Sequence, residues 1–360
     1  MSDDLDRLLK DSLSRAGDEY EAGQRERRPE ARAEFIRRYH RRRWVFPTVV
    51  SVGAAAAVAA VVVIGASVIG GSGSPGLPRP DDDVEPIRPA GRPAFELTVP
   101  LEGTPVDLAP SHGSMWVANA SEGSVVRLNS NTAELEGIVE LGGTPSVISP
   151  GPNYVWVGEP ASGTIAAIDP ATNELIRGPF EVGDPDAQMV VSVGVEHVWV
   201  VLNNRLFFVD DETGEATVVD EVDNAVDVTA RSGPVWVLDR RQGLLRFDGS
   251  TGQSIADPID VAVQDGDVFA VGDTIWLGDR EDDDLLAVDA NTGTFKGTIE
   301  VPGSYVDAAF GPNAAWVLSR SGDVTEVTTF NIQTGRSVGS PFRLAGDATE
   351  LAISRGAVWA

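Results

Sequence analysis

The chain has 360 residues, 42% of them hydrophobic, a formal net charge of −27 and no cysteine. That length and apolar content support a sizeable folded core. The charge argues against nucleic acid or anionic lipid as partners of the acidic part, and the lack of cysteine excludes disulfides, thiolate metal sites and a cysteine nucleophile.

Residues 1–44 hold 12 Lys/Arg and 10 Asp/Glu, which leaves 16 basic and 45 acidic residues beyond them, a net charge of −29. Leu5, Leu8, Leu9 and Leu13 recur at helical spacing and predict a short amphipathic helix. The stretch from Glu30 to Arg43 is a second, strongly basic helical candidate suited to anionic inner-leaflet lipid. This segment reads either as a topology signal with a solvated tail or as a docking site for a cytoplasmic regulator.

From Val45 to Gly70 there is no charged residue. The run exceeds the roughly 20 residues needed to cross a bilayer as a helix, which predicts a transmembrane span. Arg37, Arg38, Arg41, Arg42 and Arg43 immediately precede it, so residues 1–44 are expected in the cytoplasm and the remainder outside. The charged lead is too long for a cleavable signal peptide, so the expectation is an uncleaved signal-anchor. Residues 71–92 are rich in Gly, Pro and Asp and read as an extended stalk.

Beyond residue 93 a tryptophan recurs at Trp116, Trp156, Trp199, Trp236, Trp276, Trp316 and Trp359, in steps of 40, 43, 37, 40, 40 and 43 residues. A period near forty with strand chemistry inside each unit predicts an all-β propeller over 93–360, the tryptophans packing between blades. A second signature follows the third strand of each unit, at Asn129, Asp169, Asp210, Asp248, Asp289 and Asn331, each with threonine three residues on. An Asx side chain there accepts backbone amides, and Gly214, Gly252, Gly293 and Gly335 suit a following left-handed position. Six complete units run from Pro105 to about Gly346, and a seventh begins at Asp347. The stretch Phe95 to Leu101 reads like a fourth strand that completes that last unit, so seven blades are expected, one of them incomplete.

The Val-Trp-Val strand at 155–157 and the turn from Ile168 to Thr172 resemble YVTN/YncE-like propeller repeats (WD40/YVTN-like in their blade pattern) and the related virginiamycin B lyase (streptogramin lyase) superfamily. The resemblance covers 93–360 and implies the propeller fold and an envelope location. Leu286 to Gly293 is also similar to quinoprotein repeats, without the tryptophan that follows their turn. The layout of a cytoplasmic segment ahead of a membrane anchor resembles that of anchored anti-sigma factors, without their His and Cys zinc-ligand pattern.

A lyase of the resembled type implies histidines and a metal-binding carboxylate. The chain has three histidines: His40 in the expected cytoplasmic part, and His112 and His197, which precede Trp116 and Trp199. No nucleophile elbow, zinc-binding helix or phosphate loop occurs. Asp265 with Asp267, and Glu281 to Asp284, are acidic clusters without a recognised calcium-loop spacing. No cofactor is expected, a divalent cation being the one candidate.

Loops vary freely over a fixed scaffold, so a binding face is expected where second strands turn into third strands and where blades are linked. The first set is Asn119, Glu159, Asn203, Asp239, Arg240, Asp279, Arg280 and Arg320, and the second is Asp184, Asp186, Asp223, Asp265 and Asp347. The mixed but mainly acidic rim suits a basic protein segment or another cationic ligand. The expectation is a single-pass, membrane-anchored extracytoplasmic propeller serving as a non-enzymatic binding, scaffold or sensor module of a bacterial cell envelope, with an envelope lyase as the rival.

Overall fold

The computed structural model describes residues 60–65 and 95–360, apart from 187, 220, 221, 231, 232, 345 and 356. The two expected helices of 1–44, the stalk and most of the apolar run lie outside the described residues.

The chain is an all-β propeller. Six antiparallel sheets are each cut from one contiguous stretch, and each runs outward from its first strand in sequence order. Sheet one comprises Pro105–Ser111, Ser114–Asn119, Ser124–Asn129 and Leu135–Glu140. Sheets two and three begin at Val147–Pro150 and Met189–Val193. Sheet four has three strands, Ala225–Thr229, Val235–Asp239 and Gly243–Phe247, its outer edge touched only by isolated bridges at Ser254 and Ile259. Sheets five and six begin at Gly266–Val271 and Ser304–Phe310.

The expectation of seven blades is corrected to six blades of this kind. A further sheet is composite: Ala352–Ser354 and Ala357–Trp359 come from the C-terminal end, and Ala60–Gly65 and Phe95–Pro100 from the N-terminal part. Its first strand packs between the first strands of sheets six and one, which closes the ring. Phe95–Pro100 takes the fourth position, as its sequence suggested. The third position is held by Ala60–Gly65, so these six residues are a strand and not part of a helix. Among the described residues no helix is long and apolar enough to cross a membrane.

The burial gradient explains why the sequences differ by strand. Second strands are covered on both faces and read as continuous apolar runs: Ser114–Asn119 is buried at every position, as is Val235–Asp239. Fourth strands sit at the rim and are more exposed: in sheet one Val139 is buried between exposed Ile138 and Glu140, and in sheet two no residue of Glu174–Glu181 is buried.

Each tryptophan packs against the sheet that follows its own. Trp116 lies with Ile148, Val155, Val157 and Ile168 of sheet two, and Trp156 with Met189, Val191 and Val200 of sheet three. Trp199 meets Val228 and Val237, Trp236 meets Val268 and Leu277, and Trp276 meets Ala308 and Val317. Trp316 packs on Leu351 and Val358, and Trp359 returns to Met115, Val117 and Leu128 of sheet one. Six of the seven rings are buried and Trp316 is half-buried. The indole N–H of Trp199, Trp276 and Trp359 finds no protein acceptor. An orphaned donor costs about 1–3 kcal/mol, whereas burying 150–250 Å² of ring contributes about 4–6 kcal/mol at 25 cal/mol/Å², so packing wins.

The turns after the third strands form as their sequence implies. The Oδ1 of Asp248 accepts the amides of Ser250 and Thr251 at 3.0 and 2.9 Å, and that of Asp289 accepts Asn291 and Thr292 at 3.0 and 2.9 Å. Burial scarcely touches these carboxyls, and their donors hold Asp210, Asp248 and Asp289 below the usual range, Asp248 at about 2. The fifth turn residue has positive φ throughout, 75°, 67°, 69° and 65° at Gly214, Gly252, Gly293 and Gly335, and Ala133 and Asn173 take the same conformation in sheets one and two.

Trp236→Ala, which empties the contact between sheets four and five, is expected to cost about 3–5 kcal/mol, read as a lowered midpoint in urea unfolding. An unchanged midpoint would refute the packing role.

Candidate functional site: the loop face and the inner carboxylates

The residues that end the second strands prove to be locks. Asn119 is buried, its Nδ2 donating to the Glu102 carbonyl at 2.5 Å and its Oδ1 accepting the Thr104 amide at 2.9 Å. Asn203 donates to the Asp184 carbonyl at 2.7 Å. Asp239 is fully buried and accepts the amides of Arg241, Gln242 and Asn224 at 2.8, 2.9 and 3.2 Å. Asp279 is buried likewise and caps the amides of Glu281 and Asp282 at 2.9 and 3.3 Å. In sheet six Ser319 does the same work, its hydroxyl donating to the Pro302 carbonyl at 2.9 Å. Asn119, Asn203, Asp239 and Ser319 tie the strand end to the link by which the chain enters that sheet, and Asp279 caps its own 2–3 turn, so these side chains are spent on the scaffold. Glu159 accepts a long bond from the Ser162 hydroxyl at 3.4 Å.

The more exposed carboxylates of this face lie in the links. Asp184, Asp223, Asp265 and Asp347 are exposed, and Asp186 is half-buried. The three arginines are each engaged locally. Arg240 donates to Asn204 at 2.9 Å, Arg320 reaches the Ala348 carbonyl at 3.4 Å and Asp347 at 3.9 Å, and Arg280 binds Asp267 at 2.7 Å with Asp265 at 3.8 Å.

Arg280 leads into a second constellation that the sequence reading missed. The first strands of neighbouring sheets are adjacent all round the ring. Three of them carry a β-bulge at an aspartate: Asp107, Asp227 and Asp307. At each bulge one carboxylate oxygen accepts the next residue's amide, Leu108, Val228 or Ala308, at 2.6–2.7 Å. The other crosses to the next sheet and accepts Ile148, Val268 or Leu351 at 2.6 Å. Ser192 makes the corresponding bridge from sheet three, accepting the Ala230 amide at 2.9 Å. Asp267, in sheet five, accepts the Tyr305 hydroxyl at 2.9 Å together with Arg280. At Gly278 a Cβ would lie 2.2 Å from that hydroxyl oxygen, so glycine there gives Tyr305 its path across the sheet boundary.

Burial dominates the electrostatics of this ring. It raises the Asp107 carboxyl to about 6 against the pull of its two amide donors. Burial and then the Asp267 charge raise Asp227 to about 7. Asp307 is pushed well up by burial and Asp267, and Glu350 by burial and by Asp307, Asp107 and Asp267. Burial raises Asp267 too, opposed by Arg280. The signal was present in the sequence: Asp227, Asp267 and Asp307 are spaced by 40 residues, with Asp107 three periods earlier. Among the described residues no three His, Asp or Glu side chains are placed to hold a metal ion.

His112 and His197 are inter-sheet ties. The Nε2 of His112 donates to the Pro152 carbonyl at 3.1 Å and its Nδ1 accepts the Ser111 hydroxyl at 2.7 Å. His197 Nε2 donates to the Ser250 carbonyl at 3.1 Å, and the ring packs against Phe208 with centroids 5.1 Å apart and planes tilted by 41°.

The raised carboxyls fix a sign for pH dependence. The folded chain keeps protons that the unfolded chain releases above about pH 4, so their contribution is full below that and fades as pH rises through 6–7. The melting temperature is expected to fall between pH 5 and 8, and Asp227→Asn to make that slope shallower. A melting temperature that rises over this interval would contradict the assignment.

No protein family matches the chain, and no curated relative matches it. Among solved structures it is similar to the crystal structure of the computationally designed Ika8 protein, with 14% identity, a TM-score of 0.53, and coverage of 71% of this chain and 92% of that one. At that identity the likeness shows the fold, a propeller, and leaves the finer kinship to YVTN/YncE-like or lyase repeats as a resemblance of motifs.

Proposed function

We propose that the chain is a membrane-anchored, extracytoplasmic propeller that binds a cationic partner, acting as a non-enzymatic binding, scaffold or sensor module of a bacterial cell envelope. One observation carries the binding part. On the face where blades are linked, Asn119, Asp239 and Asp279 are consumed as locks, while Asp184, Asp223, Asp265 and Asp347 stay exposed at four of the sheet boundaries: two to three, three to four, four to five, and six to the composite sheet. A rim of fixed negative charge on a rigid ring selects a basic segment and disfavours polyanions. Arg280 is partnered by Asp267 and Asp265 and Arg320 by Asp347, and the net charge of −29 beyond residue 44 leaves the rim acidic.

The anchoring part is supported by the uncharged run 45–70 and by the five arginines before it. Strand Ala60–Gly65 bears on it directly. With those residues in the propeller, 45–59 spans about 22 Å as a helix, short of the roughly 30 Å hydrocarbon core, so the run serves either as a span or as a strand donor at any moment.

Two measurements test the reading. In intact cells expressing the full chain, externally added protease should digest the propeller, and deletion of 45–70 should release it from the membrane fraction; a propeller protected from protease would overturn the location. Substituting Asp184, Asp223, Asp265 and Asp347 by Lys should weaken binding of a fluorescent octa-arginine peptide at least tenfold at 0.15 M salt. The same change at the exposed outer-edge acids Glu174, Glu212, Glu215 and Asp257 should leave binding within about twofold, as expected of screened charges far from the site. Equal loss in the two variants would reduce the rim to bulk charge.

A further inference from the structure

On the face opposite the links, the boundary between sheets three and four holds an open hollow of about 330 Å³. One wall is the 1–2 turn of sheet three, with Val195 and Glu196. The other is the Asx turn of sheet four, with Asp248, and Ile255 beyond it. Sheet four has no fourth strand, so after its Asx turn the chain meets the third strand only at isolated bridges, and Ile255 is carried in that stretch. At Gly233, also in the lining, a Cβ would meet nothing within 4 Å, a mark of open space.

The apolar part of the hollow is unusual for this chain. Large apolar side chains are exposed at six places among the described residues, and two of them line this one hollow: Val195 at 73% and Ile255 at 47%. Aligned on the tryptophans, the place of Val195 is held by His112, Pro152, Gly272, Pro312 and Arg355 in other sheets, so only sheet three presents a branched aliphatic tip there. Aliphatic groups scattered singly over a surface need no explanation, whereas a pair facing one concavity beside polar groups is the pattern of a ligand site.

The polar part has one sign. Glu196 and Asp248 are the ionisable residues of the lining, and both are acidic. The amides and hydroxyls of Ser250 and Thr251 all donate to Asp248 Oδ1 and hold that carboxyl at about 2, so it is charged throughout the neutral range. Glu196 is exposed. Anionic ligands are therefore repelled. A bare metal ion is not served either, since among the described residues no three His, Asp or Glu side chains are placed to hold one.

We propose that this hollow binds a small organic cation, an alkylammonium whose charge lies against Glu196 and Asp248 and whose hydrocarbon body is covered by Val195 and Ile255. The volume sits at the lower end of ligand pockets, which run from about 300 to 1,000 Å³, and so favours a short chain over a polymer. The site stands apart from the acidic rim of the link face and does not depend on the membrane-anchored reading.

Hexylammonium is the probe, titrated calorimetrically into the full-length chain with the protein-free buffer as blank. One saturable site is expected, at least tenfold tighter for hexylammonium than for methylammonium, which lacks the chain, or for 1-hexanol, which lacks the charge. Val195→Ser with Ile255→Ser, and separately Glu196→Gln with Asp248→Asn, should each weaken binding at least fivefold. Asparagine at 248 keeps the turn, as Asn129 and Asn331 do in theirs. Glu174→Gln with Asp323→Asn, at exposed acids elsewhere, should leave binding within about twofold. No saturation by about 10 mM would overturn the site, and equal binding of 1-hexanol would overturn the cationic ligand. Unchanged binding in both hollow variants would overturn the location, and equal loss in the control would reduce the effect to bulk charge.

Discussion

The structure depends on one repeated contact, a tryptophan of each sheet set against the apolar face of the sheet that follows. A four-stranded sheet of this size has two apolar faces and too little chain to cover either. Placing the ring near the middle of the second strand, where both faces are buried, joins neighbours through the most apolar part of each. Trp116 and Trp236 add a guanidinium over the ring, from Arg127 at 5.1 Å and Arg246 at 5.2 Å, so polar side chains of the third strand finish the contact where apolar ones run out.

Radial packing creates a second constraint at the centre. First strands converge there, and a bulge frees backbone groups that the ladder no longer pairs. The aspartates at 107, 227 and 307 meet both needs at once, satisfying a local amide and reaching an amide of the next sheet. Burial, and then the gathering of such carboxyls in a confined ring, raises their proton affinity, and Arg280 opposes the rise at Asp267, Asp227 and Glu350. The scaffold is therefore more comfortable partly protonated, a direct consequence of using charged side chains as backbone clasps.

The blade pattern was legible because it rests on local rules. Tryptophan spacing and the Asx-Thr turns are short-range signals, and both appear in the structure at the residues named from sequence. The locks at Asn119, Asp239 and Asp279 were legible as positions but not as roles, since polar residues in a turn look like ligands until the incoming link, or at Asp279 the turn itself, is folded against them. The aspartate clasps were missed for the opposite reason: they sit inside apolar strands, and only the 40-residue recurrence of Asp227, Asp267 and Asp307 marks them. The third strand of the composite sheet was not legible at all. An uncharged run rich in valine satisfies the requirements of a membrane helix and of a buried strand equally well, and composition cannot separate them.

Energetics leave that choice nearly balanced, which gives the run its interest. Ordering six residues as a strand costs about 6–12 kcal/mol of backbone freedom, and the nine register pairs with its two neighbours return about 5–13 kcal/mol if each is one hydrogen bond of average worth. Twelve Val, Ile and Phe residues between 45 and 70 favour the bilayer by about 4–7 kcal/mol when inserted as a helix. What tips the strand placement is the burial it secures for its neighbours, Leu97, Val99, Val358 and Trp359. The strand placement therefore follows from what it covers rather than from its own pairing, whose cost and return nearly cancel.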